Sequence, residues 1–174
     1  MGNECDPQAT RLRSVLLLFN IQKAGNFGKL IRTANALGIF EVCIVGRRDF
    51  ATHGHHHTKI ATEFRHFYRP KDALDYYREQ AFDLVAVEIG AQAINVNRHQ
   101  FTRDTLFLMG NETTGVSAEL LAQCDYAVYI PQYGAGASLN VNVAAGIVLN
   151  AFNGQLPEHN PIEGAKFCVA DAVK

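Results

Sequence analysis

Residues 126–153, YAVYIPQYGAGASLNVNVAAGIVLNAFN, contain a strand, a loop of small residues and a helix in direct succession. The apolar run 126–130 predicts a strand, which must end at Pro131. The segment 138–152 predicts a helix that is apolar on nearly every side, and such a helix is expected to be buried on both sides. Polar side chains concentrate where strand, loop and helix meet, so a ligand site is expected there.

The rest of the chain repeats this alternation of short apolar runs and helical patterns. Asn26 is a suitable N-cap for a helix, and Gly38 supplies its C-terminal stop. Apolar strands separated by helices predict an α/β fold with a mostly parallel sheet and helices on both faces. The predicted strands are 14–19, 40–45, 82–88, 106–109 and 126–130, and the further helices are 71–80, 117–123 and 138–152.

The 174 residues predict one domain, with a core at about 14–154 and a tail at 155–174 that contains Pro157, Pro161 and Gly164. No apolar run reaches the roughly 18 residues that would span a bilayer. The first ten residues lack the features of a secretory signal. We therefore expect an intracellular protein, with the cytoplasm as the default and the nucleus or an organelle still open.

The formal net charge of −1 predicts no broad basic surface for nucleic acid. Any RNA contact would come from local clusters such as Lys23, Lys29 and Arg32. The four cysteines are scattered and include no C-x-x-C pair, which predicts reduced thiols, with Cys43 in a strand.

Two glycine-rich segments are near-matches to phosphate and dinucleotide motifs. Residues 110–117, GNETTGVS, have the glycine spacing of a Walker A loop, but Val116 stands where the lysine should be and Glu112 would face the phosphates. The segment 134–139, GAGASL, lacks the third glycine of a dinucleotide fingerprint. A nucleoside triphosphatase and an NAD enzyme are therefore both disfavoured.

A histidine-rich segment could in principle bind a metal. It has no cysteine or carboxylate at ligand spacing, and histidine runs on polar loops are usually solvated. We expect no metal at this segment, which contains His53, His55, His56 and His57. Contact with RNA through protonated histidines is a second, minor option.

The polar residues of the three strand–loop–helix segments each have an ordinary structural explanation when taken alone. Arg32 would be a solvated helix residue, Glu112 would favour the start of the next helix, and Ser138 would be an N-cap. In combination they form a pattern. The order is N-x5-R-T-A-N-A-L-G from Asn26, then G-N-E-x-x-G from Gly110, then I-P-Q followed by S-L-N-V-x-V-A-A.

This pattern closely resembles the three signature motifs of the SpoU/TrmH branch of the SPOUT RNA methyltransferases, over about residues 15–152. The segments VGRRDF, FRHF and IPQYGAG are similar to a eukaryotic, plant-type SpoU subgroup. The resemblance implies an α/β sheet with a deep trefoil knot in its C-terminal part. The knotted segments would be the loops 110–115 and 130–140, which in the family wrap the cofactor. It also implies a homodimer with active sites near the subunit interface.

The resemblance further implies transfer of a methyl group from S-adenosylmethionine to a ribose 2′-hydroxyl of tRNA or rRNA. By position, the cofactor would be lined by Val87, Glu88, Gly110, Asn111, Ile130, Pro131, Ser138 and Leu139. Mid-loop glycines would let the backbone approach it closely. The family's catalytic set falls on Arg32, Asn26, Glu112, Ser138 and Asn140.

Arg32 takes the central role in that set. A guanidinium is a poor base, so we expect Arg32 to hold a phosphate and stabilise the developing alkoxide, with proton removal left open. Asn26 and Glu112 would orient it. Because the chain resembles the minimal family members, the dimer itself would read a small structured RNA, tRNA in preference to rRNA. A non-catalytic RNA-binding protein and a base methyltransferase are the alternatives, and neither a membrane nor a metal is expected.

Overall fold

The computed structural model describes residues 11–19, 21, 24–46, 63–111, 114–135 and 138–156. Strands and helices are interspersed through this part of the chain, as the sequence predicts. In chain order the elements are β1 (Ser14–Phe19), α1 (Ala24–Ala36), β2 (Glu41–Val45), β3 (Glu63–Phe67), α2 (Pro70–Glu79), β4 (Asp83–Val87), β5 (Ile94–Asn95), β6 (Thr105–Met109), α3 (Ala118–Leu121), β7 (Tyr126–Tyr129) and α4 (Val141–Asn153). β4, β5 and β6 follow one another without an intervening helix.

The seven strands form one sheet in the order β3-β2-β1-β6-β4-β7-β5, and every pairing in it is parallel. The register places Leu18 beside Met109, and Met109 beside Val87 on its other side. Because the strands are parallel, their carboxyl ends lie along the same edge of the sheet. The segments that follow β1, β4, β6 and β7 therefore converge there.

Helices cover both faces of the sheet, which confirms the prediction of a parallel sheet between two helical layers. One core joins apolar residues of α1 and α4 to one face of the strands, with Leu30, Ile31 and Phe152 almost fully buried. The other core contains Leu74 and Tyr77 of α2 and Leu120 of α3. Strands buried on both faces explain why their sequences read as continuous apolar runs.

Two strands are absent from the predicted set. β3, with the sequence EFRHF, is an edge strand, and it has charged and polar side chains where a central strand would be apolar. β5 consists of two residues at the opposite edge. Neither has the apolar run that marks the buried strands, so both escape a search for such runs.

The structure corrects both predicted helix N-caps. α1 begins at Ala24, so Asn26 lies in its first turn and is only 5% exposed. α4 begins at Val141, and its N-cap is Asn140 rather than Ser138. The Asn140 side chain accepts a hydrogen bond from the Asn142 backbone N–H at 3.0 Å, as an N-cap residue does.

One face of α4 is open in the described part of the chain, although the sequence predicts burial on both sides. Val143 is 46% exposed. A groove of about 490 Å³ runs along this face and extends to Thr33 of α1. Both polar and apolar residues line the groove, namely Thr33, Asn97, Asn142, Val143, Gly146, Ile147, Asn150 and Ala151.

Cys43 and Cys124 are free thiols, as predicted for the cysteines. Burial raises the pKa of the Cys43 thiol to about 12 and that of Cys124 to about 11. Because the thiolate is the reactive form, we predict that both resist iodoacetamide at pH 8, with labelling at least roughly 100-fold slower than in the unfolded chain. Peptide mass spectrometry with and without guanidinium measures this difference. Equal labelling rates would contradict the burial of these thiols.

Several predicted features lie outside the described residues. They are most of the polar loop 46–58 with its four histidines, Glu112, the tail beyond Leu156, and Cys5 and Cys168. Among the described residues no group of three or more histidine, cysteine or acidic side chains could hold a metal ion. None of the described helices has the length and apolar character needed to cross a membrane.

Candidate functional site

The carboxyl edge of the sheet gathers the ends of the strands that precede the predicted site residues. Val87 ends β4, Met109 ends β6 immediately before Gly110, and Ile130 follows β7. β4 lies between β6 and β7, so these three ends are neighbours. Crevices at this edge are the usual ligand sites of open parallel sheets.

The segment that follows β6 folds back on itself as a tight loop. Asn111 and Gly115 exchange two backbone hydrogen bonds, from Asn111 N–H to Gly115 O at 3.1 Å and from Gly115 N–H to Asn111 O at 3.0 Å. The Asn111 side-chain oxygen accepts from the Thr114 N–H at 3.1 Å. Gly115 has φ +66°, a backbone conformation that glycine adopts without steric cost. We call residues 110–117 the glycine loop.

Gly110 packs directly against the far side of the glycine loop. A Cβ atom at this position would lie 2.8 Å from the Gly115 carbonyl carbon and 3.0 Å from the Val116 nitrogen. Those neighbours are backbone atoms, which cannot move aside as a side chain can. Gly110 is therefore required because a side chain would not fit there, and Gly115 is required because of its positive φ.

Glu88 connects the end of β4 to the glycine loop. Its Oε2 accepts the Val116 N–H at 2.8 Å, and its Oε1 accepts the Ile89 N–H at 2.9 Å. The Glu88 N–H itself donates to Val128 O of β7 at 3.0 Å. One residue thus joins the ends of three neighbouring strands, because β6 leads directly into the glycine loop.

These bonds also argue against a phosphate site in the glycine loop. A Walker A loop binds phosphate through free backbone N–H groups. Here the Gly115 N–H donates to Asn111 and the Val116 N–H donates to Glu88. The Ser117 hydroxyl accepts from the Leu120 N–H at 3.3 Å and caps α3. In the described part of the loop, the resemblance to a phosphate-binding loop is therefore one of glycine spacing.

A cavity of about 210 Å³ lies beneath the glycine loop, on the side of β1 and α3. Its walls are apolar at depth, where Leu108, Met109 and Leu120 are buried, and polar at the mouth, where Thr114 and Ser117 are exposed. The cavity is below the 300–1,000 Å³ typical of drug-sized ligands.

Asn26 and Asn140 join the first and third motifs. The Asn140 Nδ2 donates to the Asn26 Oδ1 at 3.2 Å, across 114 positions of sequence. A second bond runs in parallel from the Thr33 hydroxyl to the Asn142 Oδ1 at 2.8 Å. α1 and α4 pack against each other, so these bonds fix the relation between two helices of the same layer.

Substitutions of Asn140 should separate its two roles. Asn140→Ala removes both the cap and the bond to Asn26, and we expect a free energy of unfolding lower by about 1–2 kcal/mol. Asn140→Asp keeps the capping oxygen but loses the N–H donor, so it should lose less stability. Urea denaturation measures both. Equal losses for the two variants would show that the cap contributes nothing.

Arg32 lies on the exposed face of α1, while its neighbours Ile31 and Ala34 face the core. Within the described part of the chain, no hydrogen bond or ion pair joins Arg32 to Asn26, Ser138 or Asn140. The structure therefore brings the two asparagines of the predicted catalytic set together, whereas Arg32 points to solvent. Ser138 and Leu139 are also exposed, at the start of α4.

Comparison with known proteins supports the three-motif pattern. The model of the SpoU rRNA Methylase family matches residues 13–150, which is well over half of the chain. The chain belongs to the SpoU rRNA methylase family. This membership confirms the resemblance and accounts for the order of the motifs along the sheet edge.

Relatives of this SpoU family chain include two curated enzymes. The tRNA (guanosine(18)-2′-O)-methyltransferase of Aquifex aeolicus is 29% identical over 75% of this chain and 64% of its own length. The 23S rRNA (guanosine(2553)-2′-O)-methyltransferase RlmP of Bacillus subtilis is 33% identical over 82% of this chain and 58% of its own. The chain thus spans less than two thirds of the length of either relative.

A solved structure shares the fold of the SpoU family chain. The AdoMet-bound rRNA methyltransferase of Sinorhizobium meliloti superposes with a TM-score of 0.75 at 25% identity. The match covers 84% of this chain and 57% of that one. The fold is thus shared with a protein whose crystal contains the methyl donor.

Sequence reasoning placed Glu88 at this edge but did not find its bonds to the glycine loop. The pattern predicted only that a strand ends there, and the partner N–H lies 28 positions away. A carboxylate immediately after a buried parallel strand is the one available signal, because such a residue emerges at the edge where loops converge.

Proposed function

We propose that this protein transfers a methyl group from S-adenosylmethionine to a ribose 2′-hydroxyl of RNA. The observation that carries the proposal is the convergence of all three motif segments at the carboxyl edge of the sheet, where Asn140 bonds Asn26 and Glu88 bonds the glycine loop. Both curated relatives are named as 2′-O-methyltransferases of RNA.

The residues at this edge suit the methyl donor. Val87 and Ile130 offer apolar side chains at the ends of neighbouring strands, and Leu139 offers another just before α4, as an adenine ring requires. Gly110 adds backbone that a ligand can approach without meeting a side chain. Pro131, Asn111 and Ser138 complete the proposed lining. When bound, the cofactor would supply a methyl group already activated by its sulfonium.

The protein's own task is then to position the ribose hydroxyl and to stabilise the oxygen as its proton leaves. Arg32 would grip a neighbouring phosphate and stabilise the developing alkoxide, because its guanidinium stays charged at any relevant pH. Asn26, Asn140 and Ser138 would position the groups around it, and Glu112 would orient Arg32.

A homodimer would complete this site. Arg32 is exposed on α1, and the open face of α4 beside it includes Val143 and Ile147. Since no hydrogen bond or ion pair joins Arg32 to the other described site residues, a second copy packed on this face could present its arginine to them. The proposal predicts dimers in solution by sedimentation or light scattering. A monomer with full activity would contradict it.

The strand order supports a knotted C-terminal part. β6 inserts between β1 and β4, and β7 inserts between β4 and β5, so the chain re-enters a sheet that it has already built. We propose that the loops 110–115 and 130–140 are the crossing segments of a trefoil knot. Proteolytic fragments that remain associated after cleavage within either loop would support such a crossing.

The proposed substrate is a small structured RNA, with tRNA favoured over rRNA, and the proposed location is intracellular. The near-neutral chain offers only local basic clusters, which suit a compact RNA better than a long backbone. The Aquifex relative is named for a tRNA and the Bacillus relative for an rRNA.

The test is transfer of a labelled methyl group. Purified protein is incubated with methyl-labelled S-adenosylmethionine and separately with total tRNA and with rRNA, and the label in RNA is counted. We expect label in tRNA. Cofactor binding by calorimetry without transfer to either RNA would instead favour a non-catalytic RNA-binding protein.

A further inference from the structure

Glu88 is half-buried at the end of β4, and both of its carboxylate oxygens are engaged by backbone N–H groups. Oε2 accepts the Val116 N–H at 2.8 Å, and Oε1 accepts the Ile89 N–H at 2.9 Å. Hydrogen bonds to an ionised acceptor are about twice as strong as neutral ones. The carboxylate therefore ties the far side of the glycine loop to the strand beside it.

Two other attachments are described for the glycine loop near this point. One is its pair of backbone bonds between Asn111 and Gly115, which lie within the loop itself. The other is the Ser117 cap, which belongs to α3. The hydrogen bond from the Val116 N–H to the Glu88 carboxylate differs from both, because it joins the loop to the end of β4.

The fit between Glu88 and the glycine loop is close. A Cβ atom on Gly115 would overlap the Glu88 Oε2. Gly115 therefore serves two needs, its positive φ and the space that the carboxylate occupies. Because an added methyl group on Gly115 would meet the carboxylate, the effects of substituting Glu88 and Gly115 should depend on each other.

We propose that Glu88 is a positioning residue that holds the glycine loop in the shape that receives the cofactor. This inference rests on the proposed function, because it assigns the loop to cofactor binding. Glu88 acts through the Val116 N–H, so its removal loosens the loop and weakens cofactor binding even if the carboxylate never touches the ligand.

The first experiment compares Glu88→Ala with Glu79→Ala, an exposed carboxylate at the end of α2. Two quantities are measured, the exchange rate of the Val116 amide hydrogen and the Kd for S-adenosylhomocysteine by calorimetry. We expect Glu88→Ala to speed the exchange and raise the Kd, each about tenfold or more. Glu79→Ala should change neither. Glu88→Gln, which keeps one acceptor oxygen, should recover part of both losses.

Amide exchange also keeps this inference distinct from the proposed function. If the wild-type chain fails to bind S-adenosylhomocysteine, the proposed function fails, whereas faster Val116 exchange in Glu88→Ala still establishes the link to the loop. A raised Kd with unchanged Val116 exchange would overturn the positioning role, because Glu88 would then act only as a direct ligand.

The second experiment is a double-mutant cycle of Glu88→Ala and Gly115→Ala. Gly115→Ala brings its methyl group against the carboxylate, so it should raise the Kd less when Glu88 is already alanine. The penalty for a positive φ is the same in both backgrounds and cancels. Additive effects on the Kd would contradict the coupling.

Discussion

Arg32→Ala should reduce the rate of methyl transfer by roughly 10²–10³-fold, the usual effect of removing one donor that stabilises a developing oxyanion. Arg32 is exposed on α1, and in the described part of the chain its side chain forms no hydrogen bond or ion pair. Its removal should therefore leave the free energy of unfolding within about 0.5 kcal/mol of wild type. Cofactor affinity should also be unchanged. Single-turnover methylation, urea denaturation and calorimetry measure the three quantities separately.

Two further variants sharpen the test of Arg32. Arg32→Lys keeps the positive charge but loses the planar fork of donors, so it should bind RNA nearly normally and still transfer methyl slowly. Lys29→Ala removes a cation one helical turn earlier on the same exposed face. It should weaken RNA binding modestly without a comparable loss of rate. If Lys29→Ala and Arg32→Ala behaved alike, Arg32 would contribute only to general RNA affinity.

Gly110→Ala should be strongly damaging, because the added methyl group would meet backbone atoms of the glycine loop. The new Cβ would lie 2.8 Å from the Gly115 carbonyl carbon, so the glycine loop must shift as a whole. We expect a loss of about 1–3 kcal/mol in the free energy of unfolding, as overpacking typically costs. The Kd for S-adenosylhomocysteine should rise more than tenfold, because the shifted loop belongs to the proposed cofactor site.

Gly90→Ala is the matched control for Gly110→Ala. Gly90 lies in the segment after β4, and a Cβ atom there would meet nothing within 4 Å. Neither stability nor cofactor affinity should change appreciably. Thermal unfolding with and without S-adenosylhomocysteine reports both effects. Normal affinity in Gly110→Ala would show that the glycine loop takes no part in binding the cofactor.

The arrangement of the fold follows from the sequence because its central strands are buried on both faces. β1, β4 and β6 are almost wholly apolar, and their alternation with helical segments already implies a parallel sheet. β3 is less visible, since an edge strand needs no apolar run. The order of the strands depends on contacts between distant segments, which no local pattern records.

The site was predictable in its residue types but not in its contacts. Asn26 fits the N-cap preference so well that the sequence places it before the helix, whereas tertiary packing draws it into the first turn. Asn140 then serves both as cap and as partner of Asn26. Arg32 was correctly expected on a solvent-facing side of its helix, yet only the structure shows that, among the described residues, no hydrogen bond or ion pair joins it to Asn26 or Asn140.

The acceptor in the proposed reaction is a ribose hydroxyl of RNA. The most direct measurement incubates the protein with tRNA and S-adenosylmethionine carrying a deuterated methyl group, then digests the RNA and identifies the labelled nucleoside by mass spectrometry. We predict a nucleoside whose deuterated methyl group remains with the ribose when the base is cleaved. A label that leaves with the base, or the absence of label in RNA despite cofactor binding, would contradict the account.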